Sequence, residues 1–370
     1  MRPPWWKPWS DSFKAFGRET LQTGTRIKVG GLKIIEGGAC VASSSPEGEK
    51  PFSQLVTAPL SSEKINLSFL THVAGDRTSL CTASRGGDAA LTILKSQAGQ
   101  EGAVQLQTGT VIVAVYPHNK RADIIGAFIR SLARSHSVLY GLASSPSAIT
   151  GVIAARRTKR VVQQLFEDFY FPAFESPQEF FAAQTSSEEY YKKVVAEYQE
   201  KVIKVYWIVS QPDLDLWALS IPTAAILENM ADALIFLKDL ELTIPFLIAI
   251  PRLGTEELLF AFSTGQTPGA RDQGDEVRAL LRQHLPGLRP MRLTPVAGIF
   301  LHGPHFGDRY GIANALAEAL EHANVTILAL SCTVSSISVI IRQHQLAPAQ
   351  LVLGETFESP VECAPATRTG

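Results

Sequence analysis

One order of elements recurs along this chain and constrains its folding more than any single motif. Near the C-terminal end, Val296 to His302 is an apolar run consistent with a buried strand, and Gly303-Pro304 stops it. Gly307-Asp308 supplies a turn and a helix N-cap, after which Ile312, Leu316, Ala319 and Leu320 recur on one helical face. Val325 to Leu330 and Ser335 to Ile341 read as strands, Ala347 to Leu353 as a short helix after Pro348, and Thr356 to Pro360 as a last strand. Strand, helix, strand, strand, helix, strand is the split βαβ, or ferredoxin-like, order.

The order is repeated upstream. Val111 to Tyr116 is a strand, Pro117-His118-Asn119 a turn and cap, and Ile125, Phe128, Ile129 and Leu132 an apolar helical face. Strands follow at Val138 to Leu142 and Ile149 to Ala154, then a helix marked by Val161, Val162, Leu165 and Phe169. A further copy has strands at Ala39 to Ala42, Asn66 to His72 and Thr78 to Thr82, with helices near Phe52 to Leu60 and Asp88 to Lys95. Another has helices at Thr223 to Leu240 and Asp275 to His284 around strands Phe246 to Ile250 and Leu258 to Phe262.

The expected fold is therefore α+β: four ferredoxin-like βαββαβ units, each an antiparallel sheet with helices packed on one face, arranged as two pairs. The expected boundaries are a tail over 1–23, units over 24–100, 101–174, 202–290 and 291–360, a linker helix over 175–201 and a tail over 361–370. The glycine pairs Gly30-Gly31, Gly37-Gly38 and Gly86-Gly87 are expected in turns.

Three stretches resemble a known family, the paired ACT domains that form the regulatory region of aspartate kinases. They are Gly24-Thr25-Arg26-Ile27-Lys28-Val29-Gly30-Gly31, Ile65-Asn66-Leu67-Ser68 and Ser335-Ser336-Ile337-Ser338-Val339. Gly303-Pro304-His305-Phe306-Gly307-Asp308-Arg309 stands where such domains grip an amino acid. No K-F-G-G-[ST] stretch matches the phosphate-binding opening of an aspartate kinase, so the resemblance implies the regulatory region without the kinase domain. It also implies an amino-acid ligand such as lysine or threonine, a partner enzyme in amino-acid metabolism and a homodimer.

The candidate site follows from the chemistry of a zwitterion. The start of a helix exposes unpaired N–H groups and a positive dipole end, which suits a carboxylate. One loop offers Gly303, His305, Phe306, Gly307, Asp308 and Arg309, with Thr333 and Ser335 expected opposite. A second offers His118 and Asn119, with Ser144 and Ser145 opposite. The corresponding loops at Ser43-Ser44-Ser45-Pro46 and Ile221-Pro222-Thr223 are poorer, and the latter has no glycine to let backbone approach a ligand. One or two occupied sites are expected.

Other chemistries find no support in the sequence. Net charge is −1 and pI about 6.7, so no basic field gathers nucleic acid. There is no G-x-x-x-x-G-K-[ST] loop, no H-E-x-x-H, no C-x-x-C and no G-x-S-x-G elbow. The expectation is a regulatory binding protein that is not an enzyme and uses no cofactor or metal; an interaction scaffold without a ligand is the alternative. Cys40, Cys81, Cys332 and Cys363 are scattered as in a reducing cytoplasm, and no stretch reads as a membrane span. Trp5, Trp6 and Trp9 are expected to hold the N-terminal tail onto the protein or a sister subunit, since no basic amphipathic helix accompanies them.

Overall fold

The structure, a computed structural model, describes residues 26–44, 51–74, 77–98, 103–191, 203–222, 226–265, 272–303, 309–333 and 335–359. The first half contains β1 (Ile27–Lys28), β2 (Gly31–Ser44), α1 (Ala58–Ser62), β3 (Phe69–Val73), β4 (Arg77–Ala83), α2 (Ser84–Ala98), β5 (Ala103–Tyr116), α3 (Ala122–Arg134), β6 (Leu139–Ser144), β7 (Ile149–Ala154), α4 (Thr158–Asp168), β8 (Phe169–Tyr170) and α5 (Pro177–Tyr191). The second contains β9 (Ile203–Lys204), β10 (Trp207–Pro222), α6 (Leu227–Phe236), β11 (Thr243–Pro251), β12 (Glu257–Gly265), α7 (Gly274–His284), β13 (Met291–His302), α8 (Ile312–His322), β14 (Ile327–Cys332), β15 (Ser336–Arg342), α9 (Leu346–Thr356) and β16 (Phe357–Glu358).

Twelve of these strands close into one antiparallel barrel in the order β10, β12, β11, β6, β7, β5, β2, β4, β3, β14, β15, β13. This overturns the expectation of four ferredoxin-like units in two pairs. A four-stranded sheet would leave rows of unpaired N–H and C=O groups at its edges. Here those edges are consumed: β6 pairs with β11 through Ala143 and Ile248, and β3 with β14 through Thr71 and Ser331.

Four long strands complete the ring by bending from one half of the barrel to the other. In β2, Leu32 and Ile34 pack in one helical layer while Val41 packs in the other. The bend falls at Gly37, whose φ is +70°, and the register against β5 slips between Ile35 and Gly38. Gly109 of β5, at φ +64°, forms the facing bulge. Such a conformation is cheap for glycine, and bulges are how strands turn barrel corners. The β10–β13 pair bends in the same way, with register shifts on either side of Leu214. Gly37-Gly38 is thus a corner inside a strand rather than a turn between elements. Gly86-Gly87 lies inside α2, where a Cβ on Gly87 would stand 2.6 Å from Ala39 Cβ, so glycine lets the helix sit on β2.

Successive side chains on a strand face opposite ways, and the cores follow that alternation. Leu247 and Ala249 of β11 face α3 and α6 with Phe128, Ile129 and Leu234, whereas Phe246, Ile248 and Ile250 face the interior with Phe69, Phe300 and Ile340. On the opposite side α8 and the 52–62 helical segment cover Val41, Leu330 and Val339. The barrel is therefore filled by side chains and clad by two helical layers. The α3–α6 contact is close: a Cβ on Gly126 would stand 2.6 Å from the Ala231 carbonyl. No helix among the described residues is long and apolar enough to cross a membrane.

Candidate functional site

The 117–119 loop leaves β5 and is locked to the β6–β7 turn. His118 is fully buried and donates its N–H to the Ser147 carbonyl at 3.1 Å. Its Nδ1 accepts from the Lys120 N–H at 3.0 Å, which leaves Nε2–H to donate to the Ser145 carbonyl. Burial pushes the imidazole down to about 4, so it is neutral and fixed in one tautomer. Ser145 Oγ accepts from the Ala148 N–H at 3.2 Å, and the Ser145 N–H donates to the Ala148 carbonyl at 2.8 Å. One ring nitrogen of His118 thus serves the β6–β7 turn and the other its own loop, while Asn119 is exposed at φ +50°. Ser144 Oγ is buried with no hydrogen-bond partner among the described residues, and its carbonyl accepts from Ser331 Oγ at 3.5 Å across the barrel.

The second loop repeats this construction. The Gly303 N–H donates to the Ser335 carbonyl at 3.0 Å, and Thr333 closes the β14–β15 turn through its N–H to Ser336 at 2.8 Å. Its hydroxyl donates to the same carbonyl at 3.3 Å. His305, Phe306, Gly307 and Asp308 lie outside the described residues, and Arg309 is the first described residue beyond them.

Arg309 opens onto a cleft between α8 and the helical segment that ends in α1. Tyr310, Asn314, Thr57 and Ser61 line it with polar atoms, while Leu60, Ile65, Leu67 and Cys332 make an apolar floor. It holds about 310 Å³ counting its open mouth, of which about 20 Å³ is wide enough for a water molecule. Thr57 Oγ1 donates to Asn314 Oδ1 at 3.0 Å, and the Ser53 N–H donates to Glu321 Oε1 at 2.9 Å, so these two helices are held side by side. α8 begins at Gly311, φ +83°, with no side-chain cap among the described residues. Gly311, Ile312 and Ala313 at the start of this helix line the cleft with Arg309, an arrangement suited to a carboxylate. Burial pushes the Cys332 thiol up to about 12, making it an inert part of the floor.

Of the sequence-derived residues, the fold brings Gly303 together with Ser335, next to the turn that Thr333 closes, and His118 together with Ser145, which follows Ser144; Arg309 lines the cleft with Cys332, without Thr333 or Ser335. Thr57, Ser61, Tyr310 and Asn314 were not anticipated. They come from an adjacent helix and from past the loop, and the sequence signals near them are the helical readings of Phe52 to Leu60 and of the face from Ile312 to Leu320. Among the described residues no group of three His, Cys, Asp or Glu side chains could hold a metal ion.

No protein-family model matches the chain, and no curated protein sequence matches it. Solved structures do resemble it. An aspartate kinase from Synechocystis aligns over 91% of this chain and 57% of its own, at 15% identity and a TM-score of 0.70. The chain thus spans little more than half the length of that enzyme. The ligand-free regulatory subunit of aspartate kinase from Thermus thermophilus aligns over 42% of this chain and 99% of its own, at 18% identity and a TM-score of 0.36. E. coli aspartokinase III in complex with aspartate and ADP aligns over 43% of this chain, at 14% identity and a TM-score of 0.31. The expectation that the chain is not an enzyme is corrected by the first of these, since most of this fold recurs within a catalytic protein. At this identity the likeness establishes the fold.

Proposed function

We propose that this chain binds a free amino acid with a small neutral side chain, threonine being the type, in the cleft between α1 and α8. Binding there controls chemistry of the aspartate-kinase kind. The observation that carries the reading is the convergence on one cleft of Arg309, the start of α8 and the Asn314, Thr57 and Ser61 side chains over an apolar floor. The carboxylate meets the helix start and Arg309, the ammonium meets Asn314 Oδ1 and the hydroxyls, and the side chain meets Leu60 and Ile65. No Asp or Glu lines the cleft among the described residues, which disfavours lysine relative to threonine.

The narrowness of the cleft supplies a route to regulation. An amino acid has more atoms than a single water site holds, so binding parts α1 from α8 and selects a second arrangement of the helical layer. A ligand shifts an equilibrium only by its difference in affinity for the two states, and couplings of about 1–3 kcal/mol are typical. Micromolar to millimolar affinity is expected for a ligand of this size. Thermal shift of the full chain against the twenty amino acids tests the reading: threonine or a close analogue should raise Tm at millimolar concentration. The proposal fails if none does, or if lysine stabilises more. Aspartate phosphorylation, assayed on the same protein with and without ligand, then reports whether binding controls a kinase reaction.

A further inference from the structure

We propose that a pocket beside Gly30 and Gly31, separate from the α1–α8 cleft, seats a tryptophan from the first 25 residues of the chain itself. The pocket is about 280 Å³ and lies between the start of β2 and α5. Tyr116, Phe174 and Phe180 give it aromatic walls, Ala173 and Ala183 contribute only small side chains, and among the described residues no charged side chain lines it. Phe174 and Phe180 meet edge to face at 5.2 Å.

The other half of the barrel shows what belongs at such a corner. Ile27-Lys28-Val29 and Ile203-Lys204-Val205 are built alike. β1 runs parallel to β8 and β9 parallel to β16. The Val29 N–H donates to the Tyr170 carbonyl at 3.2 Å, and the Val205 N–H to the Glu358 carbonyl at 2.9 Å. Two residues later, Gly31 stands opposite Tyr116 in the β2–β5 register, while Trp207 stands opposite His302 in the β10–β13 register. In the second half the Trp207 ring stacks on His302 at 5.3 Å and 20°, with Tyr206 alongside at 5.8 Å. In the first half both aromatic positions are glycine: the Tyr116 ring lies against Gly31, where a Cβ would stand 2.7 Å from its hydroxyl oxygen, and the aromatic-walled pocket lies beside that ring.

An indole suits that place, and the chain carries three in Trp5, Trp6 and Trp9. Their segment joins the described residues at Arg26, four positions before Gly30. The described lining is aromatic and small rather than charged, which suits an apolar ring, and an aromatic side chain buries ~150–250 Å² in such a setting.

The test uses the full chain labelled with 5-fluorotryptophan, whose five signals are assigned by single Trp→Phe substitutions. In the unmodified chain one of Trp5, Trp6 and Trp9 should show no H₂O/D₂O isotope shift, as expected for the fully buried Trp217. Ala183→Phe fills the pocket from an exposed position on α5 and should move that signal to the solvent-exposed value, leaving Trp207 and Trp217 in place. If Ala183→Phe disturbs Trp217 and so the fold, Ala173→Phe, placed between β8 and α5, must give the same release. The proposal is overturned if all three tail signals show the full isotope shift, or if the protected signal ignores both substitutions. It is also overturned if protection disappears on dilution, because the occupant is then a second copy. None of these outcomes depends on amino-acid binding in the cleft.

Discussion

His118 offers the sharpest energetic test of how the loops are held. Its ring is fully buried and lies at about 4 instead of the ordinary 6.5. Between those values the unfolded chain binds a proton at His118 that the folded chain refuses. The stabilisation from the neutral ring is complete above pH 6.5, drains as pH falls through about 4, and is exhausted below it. At about 1.4 kcal/mol per tenfold, the whole interval is worth about 3 kcal/mol. His118→Leu removes this dependence and leaves the buried Ser145 carbonyl without its donor, costing about 2–4 kcal/mol at pH 7. Urea unfolding at pH 7, 6, 5 and 4 should therefore find the variant less stable at pH 7, with the gap closing by about 3 kcal/mol at pH 4. A gap that stays constant across the series would refute the argument, since the ring would not be held neutral by burial.

Other outcomes follow from the same geometry. Gly126→Ala drives a methyl against the Ala231 carbonyl and Ile235, and should cost about 1–3 kcal/mol in the same unfolding assay. Arg309→Ala should weaken threonine binding at least about tenfold by calorimetry, because the carboxylate loses a charge-assisted donor. Cys332, its thiol pushed up to about 12, should react with iodoacetamide at pH 8 about a thousandfold more slowly than a free thiol. Its rate should match that of a free thiol only on unfolding.

The local elements were legible because their periods are strong. Ile125, Phe128, Ile129 and Leu132 fall on the buried face of α3, and the apolar runs at 149–154 and 296–302 fall within β7 and β13. What joined them was not legible. The β6–β11 and β3–β14 pairings connect segments more than a hundred residues apart, and edge pairing leaves no local pattern to read. The corner at Gly37-Gly38 left a visible mark, but a glycine pair between apolar runs reads as a turn unless the partner strand with Gly109 is known. The site was half legible for the same reason. Arg309 lies in the loop singled out by the resemblance, whereas Thr57 and Ser61 reach the cleft only because α1 packs on α8. His118 was read from its place in a helix-entry loop, but its hydrogen-bonding capacity is spent on Ser145 and Lys120, which only three-dimensional contact could show.

The central claim, that the α1–α8 cleft takes an amino acid, is tested most directly by a crystal structure of the chain grown with millimolar threonine. The account predicts threonine between Arg309 and Asn314, its carboxylate on the first-turn N–H groups of α8 and α1 displaced outward. Threonine bound instead beside His118 and Ser145, or a cleft that stays closed and empty while the crystals hold the ligand elsewhere, would contradict it.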